Sequence, residues 1–167
     1  PNMTVLVPLD AVQTKQMVRA AARHQGPVYL RINRNDLPVY TDSDAPFEIG
    51  KAYVLKPGSD AVVFANGVMI SKAMEAAELL SQEGLSIEVV NVCSVKPLDA
   101  ATIQAEARKC RAVVVAEEHT VIGGLGSAIA ECLRLEKLPL EIVGILDCFG
   151  TSAENYNELM AAYGLTA

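Results

Sequence analysis

Arg31 and Arg34, in the run Arg-Ile-Asn-Arg, are the side chains best shaped to hold an anion in this 167-residue sequence. A guanidinium forks two parallel N–H groups onto phosphate or carboxylate. The pair falls at the expected end of a strand, where open parallel sheets place their ligands. Residues three apart on a strand face opposite sides, so only one of the two can enter a given crevice. A salt bridge to a neighbour such as Asp36 is the competing use. A second group, Glu117-Glu118-His119, follows an apolar strand and runs into Gly123-Gly-Leu-Gly-Ser127. Adjacent carboxylates can trade protons and His119 can donate one near neutral pH. An interface or a structural network would use the same three residues equally well. The glycines would admit an anion to a helix N-terminus. They do not follow GxGxxG spacing and lack a P-loop lysine, so close packing of helix on sheet is the favoured reading. In Phe149-Gly-Thr-Ser152, Thr151 or Ser152 reads as a helix cap. Cys93, Cys110, Cys132 and Cys148 form no CxxC pair, and the chain has only two histidines. Reduced, packed thiols fit that pattern better than disulfides, zinc or a Cys-His nucleophile.

Strands alternating with helices must position these groups. Met3 to Val7 reads as a strand, Asp10 as the N-cap of a helix over Ala11 to about Arg23, and Val28 to Ile32 as the next strand. Residues 1–35 therefore form a β-α-β unit. Residues 36–46 are polar, hold two prolines and have no periodicity, which marks an interdomain linker. From residue 47 onward the α/β pattern is complete. Strands are expected at Lys51 to Leu55, Ala61 to Ala65, Ile87 to Val92, Ala112 to Ala116 and Leu140 to Ile145. Helices are expected at about Ile70 to Gln82, Pro97 to about Lys109, from the opening run Gly123-Gly-Leu-Gly-Ser127 through Leu133, and at Ala153 to Tyr163. All-apolar strands alternating with helices imply right-handed crossovers and a three-layer, mostly parallel open sheet.

Composition narrows the function classes. Hydrophobic residues make up 51% of the chain, enough for a sizeable core, and a net charge of −6 leaves no basic footprint for nucleic acid. No apolar run approaches the roughly 20 residues needed to cross a bilayer, and Pro1 to Pro8 do not form a signal peptide. A cytoplasmic protein is expected. The chain lacks an initiating Met and begins in mid-element, as a piece of something longer would.

Four stretches in this order resemble the C-terminal end of transketolase-family enzymes, in particular the C-terminal section of split bacterial transketolases. They are Pro1-Asn-Met-Thr-Val-Leu-Val-Pro8 with Asp10-Ala11, and Gly26-Pro-Val-Tyr-Leu-Arg-Ile-Asn-Arg34. Val114-Val-Ala-Glu-Glu-His119 running into Gly123-Gly-Leu-Gly-Ser127 is the third, and Phe149-Gly-Thr-Ser152 the fourth. The resemblance covers essentially the whole chain. Deoxyxylulose-phosphate synthases and 2-oxo-acid dehydrogenase β-subunits share the architecture and are the competing relatives. It implies that residues 1–35 end a pyrimidine-binding domain and that residues 47–167 are a transketolase C-terminal domain. It also implies an assembled enzyme, a homodimer or heterotetramer, that moves two-carbon ketol units between sugar phosphates of pentose-phosphate type. Thiamine diphosphate and magnesium would be held by an N-terminal portion or subunit, because no GDG-type motif is present here. The glutamate that activates the cofactor would also lie outside this chain, so Glu117 and Glu118 are not given that role. Arg34 matches the family's substrate-phosphate arginine, and His119 is the other substrate-binding candidate. On this reading the isolated chain binds no cofactor and is inactive. A free-standing α/β binding or assembly module is the reading from a different class.

Overall fold

The computed structural model describes all 167 residues. Two sheets share one molecule. The smaller begins with β1 (Thr4–Leu6), crosses over through α1 (Ala11–Ala21) and returns as β2 (Val28–Leu30), parallel to β1. Asp10 caps α1, its Oδ1 accepting from Gln13 N at 2.8 Å, the bond its short carboxylate is suited to make. After β2 no regular element forms until β3 (Tyr53–Lys56). Then come β4 (Ala61–Ala65), α2 (Met69–Gln82), β5 (Ile87–Asn91), β6 (Ser94–Lys96) and α3 (Ala100–Ala107). β7 (Ala112–Thr120), α4 (Leu125–Cys132), β8 (Leu140–Ile145) and α5 (Tyr156–Ala162) complete the chain.

The larger sheet has the order β3-β5-β4-β7-β8, parallel throughout except for the antiparallel edge strand β3. Period-two alternation sends Ala61, Val63 and Ala65 to one face and Val62 and Phe64 to the other. The first face is covered by α2 and α5 through Ile70, Ala73, Ala77 and Met160. The second is covered by α3 and α4 through Ile103, Ala107, Leu125 and Ile129. This is the expected three-layer, mostly parallel sheet behind a β-α-β unit. No helix is long and apolar enough to cross a membrane.

Several expected elements differ in extent. β6 was not anticipated; it pairs antiparallel with β1, so a late segment completes the smaller sheet in the order β2-β1-β6. Phe47, Ile49 and Tyr53 also pack against Leu6, Met17 and Cys93 beneath that sheet. The expected linker is tied down as well. Asp10 Oδ2 accepts from the N–H groups of Tyr40 and Thr41 at 2.9 and 2.8 Å, and Gln16 Nε2 donates to Ala45 O at 2.9 Å. The last helix starts at Tyr156, not Ala153. Its cap is Asn155, whose Oδ1 accepts from Glu158 N, in place of Thr151 or Ser152.

Candidate functional site

β2 stops at Leu30, two residues earlier than expected. Arg31 N still donates to Leu6 O at 2.9 Å, and beyond it the backbone leaves the ladder. The strand-face argument therefore does not separate the two arginines; their different partners do. Arg31 Nη1 meets Glu117 Oε1 at 3.1 Å, and its Nη2 donates to Glu118 O. Arg34 forms no ion pair within 4.0 Å, with Asp36 or with any other carboxylate. It is exposed and lines a cleft of about 320 Å³ together with Asn33, Asp36, Pro8 and the first turn of α1, Ala11 and Thr14.

The segment Glu117–His119 lies within β7, not after it, since that strand continues to Thr120, which pairs with Ile145 of β8. Glu117 is buried there, whereas His119, two residues on and near the end of the strand, is exposed. Glu117 Oε2 accepts from Leu125 N at 2.6 Å, and Oε1 takes a long bond of 3.4 Å from Asn66 Nδ2. The chain's own carboxylate thus occupies the N-terminus of α4, where anions are stabilised by the unpaired N–H groups. Gly124 makes room for it, because a Cβ there would run into Glu117 Oε2. Gly126 lets α4 lie on β8, since a Cβ would fall 2.6 Å from Ile142 Cγ2. The glycine loop is a packing device with its anion already built in. Glu117 is consequently an anchor that joins the first sheet to α4.

Beside this anchor, Asn33 Nδ2 approaches Glu118 Oε2 at 3.5 Å. The Tyr156 hydroxyl is buried without a hydrogen-bond partner, and its pKa is raised by that burial and then by the adjacent Glu118 carboxylate. His119 Nδ1 contacts Thr120 O at 3.0 Å. His119 is not on the wall of the cleft that holds Arg34, so the structure does not bring the two candidates into one pocket. Past the ends of β7 and β8, Ile122, Leu146 and Phe149 stand exposed, Phe149 almost completely.

Cys93 is buried, which pushes its pKa up to about 12, and all four cysteines are free. One charged pair escaped the sequence reading. Glu88 sits in the middle of apolar β5, 2% exposed, on the face toward α3 and Glu106. A carboxylate inside an apolar strand was the signal that could have revealed it.

A β-α-β unit packed against a three-layer, mostly parallel sheet defines an α/β protein assembled from two sheets, with Arg34 outside any ion pair at the end of the first. The comparisons narrow that class. The model of the transketolase C-terminal domain matches residues 50–167, and that of the transketolase pyrimidine-binding domain matches residues 1–39. The chain belongs to the transketolase family. A putative uncharacterized transketolase family protein of Sinorhizobium fredii is 49% identical over 154 residues, spanning 89% of this chain and 45% of the relative. The 6-deoxy-6-sulfo-D-fructose transketolase subunit SqwH of a Clostridium species is 42% identical over 169 residues, spanning 100% of this chain and 52% of the relative. A solved structure described as a split gene transketolase, inactive beta4 tetramer, superposes with a TM-score of 0.94 at 47% identity. That match covers 99% of this chain and 55% of the other. The chain spans about half the length of the curated relatives it matches.

Proposed function

We propose that this chain works as the C-terminal part of a two-part ketol transferase, in which Arg34 holds the phosphate of a sugar phosphate. The observation that carries the reading is Arg34 itself: a guanidinium with no carboxylate partner, on the wall of a cleft at the start of α1. The guanidinium is exposed and engaged by no carboxylate, so it is free to fork onto a phosphate that enters the cleft. Residues 1–35, 36–46 and 47–167 are read as the end of the pyrimidine-binding domain, a linker and the C-terminal domain. His119, exposed near the end of β7, is read as a substrate contact at the rim, completed when another subunit covers the apolar edge of Ile122, Leu146 and Phe149. Phosphorylated pentoses in the cytoplasm are the substrates that suit this reading, and a dimer or heterotetramer its assembly.

Thiamine diphosphate, which the family implies, supplies carbanion chemistry when bound. The residues present here do not fit its metal-diphosphate group, since no three His, Cys, Asp or Glu side chains converge to hold a cation. The cofactor is therefore read as belonging to the complementary N-terminal portion, and no step is routed through it. Reconstitution tests the proposal. Purified chain and N-terminal portion, supplied with cofactor and magnesium, should transfer ketol units between sugar phosphates only when mixed. Activity of this chain alone, or an inactive mixture that nonetheless forms a stable complex, would contradict it.

A further inference from the structure

Arg34 is exposed and enters no ion pair, so no carboxylate holds its guanidinium over the cleft it lines. Its aim is set by the backbone that carries it. That backbone has left the ladder of β2 and bends at Arg34 and Asn35. One side chain closes the bend. Asn33 Oδ1 accepts from Asn35 N at 2.6 Å, with Arg34 between the two. Asparagine suits this place, because its short side chain reaches the N–H two residues on and imitates a backbone turn. Without that acceptor the Asn35 N–H would turn to water, and residues 33–35 would sample more conformations.

The other end of the Asn33 amide is turned toward the larger sheet. Asn33 Nδ2 faces Glu118 Oε2, on β7, across 3.5 Å. An ionised carboxylate only accepts, so it favours the amide orientation that presents Nδ2 to it, and the same orientation presents Oδ1 to Asn35 N. The reverse orientation would set oxygen against carboxylate and N–H against N–H. Glu118, 85 residues away in sequence, thus selects the turn that Asn33 makes. Arg31 is not needed for it: that side chain grips Glu117 and the Glu118 carbonyl, whereas the bend closes locally between Asn33 and Asn35. We propose that Asn33 is a positioning residue for Arg34, holding the guanidinium at the angle at which it meets a phosphate in the cleft. The inference rests on the phosphate-binding reading of Arg34 and adds to it the residue that orders the arginine beforehand. An arginine already in place loses less conformational freedom when the anion arrives, and so binds it more tightly.

Steady-state kinetics of the assembled two-part enzyme, with a phosphorylated and an unphosphorylated acceptor, test it. Asn33→Ala should lower kcat/KM about three- to tenfold for the phosphorylated acceptor, the range that one neutral hydrogen bond supports. The unphosphorylated acceptor should change by less than about twofold. Asn33→Ser, whose hydroxyl can accept from the same N–H, should lose less than Asn33→Ala. In an Arg34→Ala background, Asn33→Ala should have no further effect on the ratio between the two acceptors, because it acts only through the arginine. The same loss in that background would mean that Asn33 meets the substrate itself, and equal losses on both acceptors would make it a residue of the fold. Either result overturns the inference. So would an unchanged ratio for Asn33→Ala where Arg34→Ala alters it. An unchanged ratio for Arg34→Ala would overturn the reading of Arg34, and this inference with it.

Discussion

Removing the Glu117 carboxylate should unfasten the two sheets from one another. Glu117→Ala takes away the acceptor of Leu125 N at 2.6 Å and the partner of Arg31 at 3.1 Å. The carboxylate side chain is 9% exposed and the Arg31 side chain 25% exposed, so the helix N–H is stranded while Arg31 recovers part of its hydration. A charged hydrogen bond contributes about 1.5–3 kcal/mol, and breaking a fully buried pair costs about 3–5 kcal/mol. With one partner a quarter exposed, a loss near 3 kcal/mol is expected, or about 6–12 °C in melting temperature for a chain of this size. Arg31→Ala should cost less, about 1–2 kcal/mol, because Glu117 keeps its bond to α4. The double variant should show a coupling of about 1–2 kcal/mol, since each single change removes the same contact. Equilibrium urea unfolding of the four proteins gives that number directly. Strict additivity would refute the anchor, leaving Glu117 as a cap and Arg31 as a surface residue.

Glu88, its pKa pushed up to about 7 by burial and then by Glu106, should make stability fall as pH rises. The folded state keeps a proton between the ordinary carboxylate range and pH 7 that the unfolded chain has lost, so the stabilisation is complete below about pH 4.5 and is lost through pH 7. The urea midpoint should drop between pH 5.5 and 8.5, and Glu88→Gln should flatten that slope. Gly58→Ala should destabilise by more than about 3 kcal/mol in the same unfolding assay, beyond ordinary overpacking, because its Cβ would overlap the backbone of Ile87 and Glu88 and no rotamer change relieves it. Thiol labelling followed by mass spectrometry should modify exposed Cys148 first and buried Cys93 only on unfolding. Early loss of the Cys93 thiol in native buffer would show that the smaller sheet opens readily.

What could be read in the sequence was mostly local. Asp10 was legible as a cap because that bond reaches only to Gln13, whereas its second oxygen's hold on Tyr40 and Thr41 was not. The all-apolar runs at Ala61–Ala65 and Ala112–Ala116 announced a sheet covered on both faces. β6 was not legible, since three residues carry no periodicity and its partner β1 lies some ninety positions earlier. The charges of Glu117 to His119 read as lying just past the strand, whereas pairing with β8 carries β7 three residues past Glu117. Arg31 and Arg34 looked alike because what distinguishes them is Glu117, 86 residues away. Arginine chemistry pointed to both, and only tertiary packing shows which one is already engaged.

The claim that this chain brings a phosphate-binding arginine to a ketol transferase is tested most directly by Arg34→Ala in the assembled enzyme. Steady-state kinetics would be compared for a phosphorylated and an unphosphorylated acceptor. A charge-assisted contact worth about 1.5–3 kcal/mol corresponds to a roughly 10- to 150-fold fall in kcat/KM for the phosphorylated acceptor. The unphosphorylated acceptor, which never made the contact, should change by less than about threefold. Arg31→Ala should lower stability and leave the ratio between the two acceptors where it was. Equal losses on both acceptors for Arg34→Ala would make Arg34 a structural residue and contradict the account.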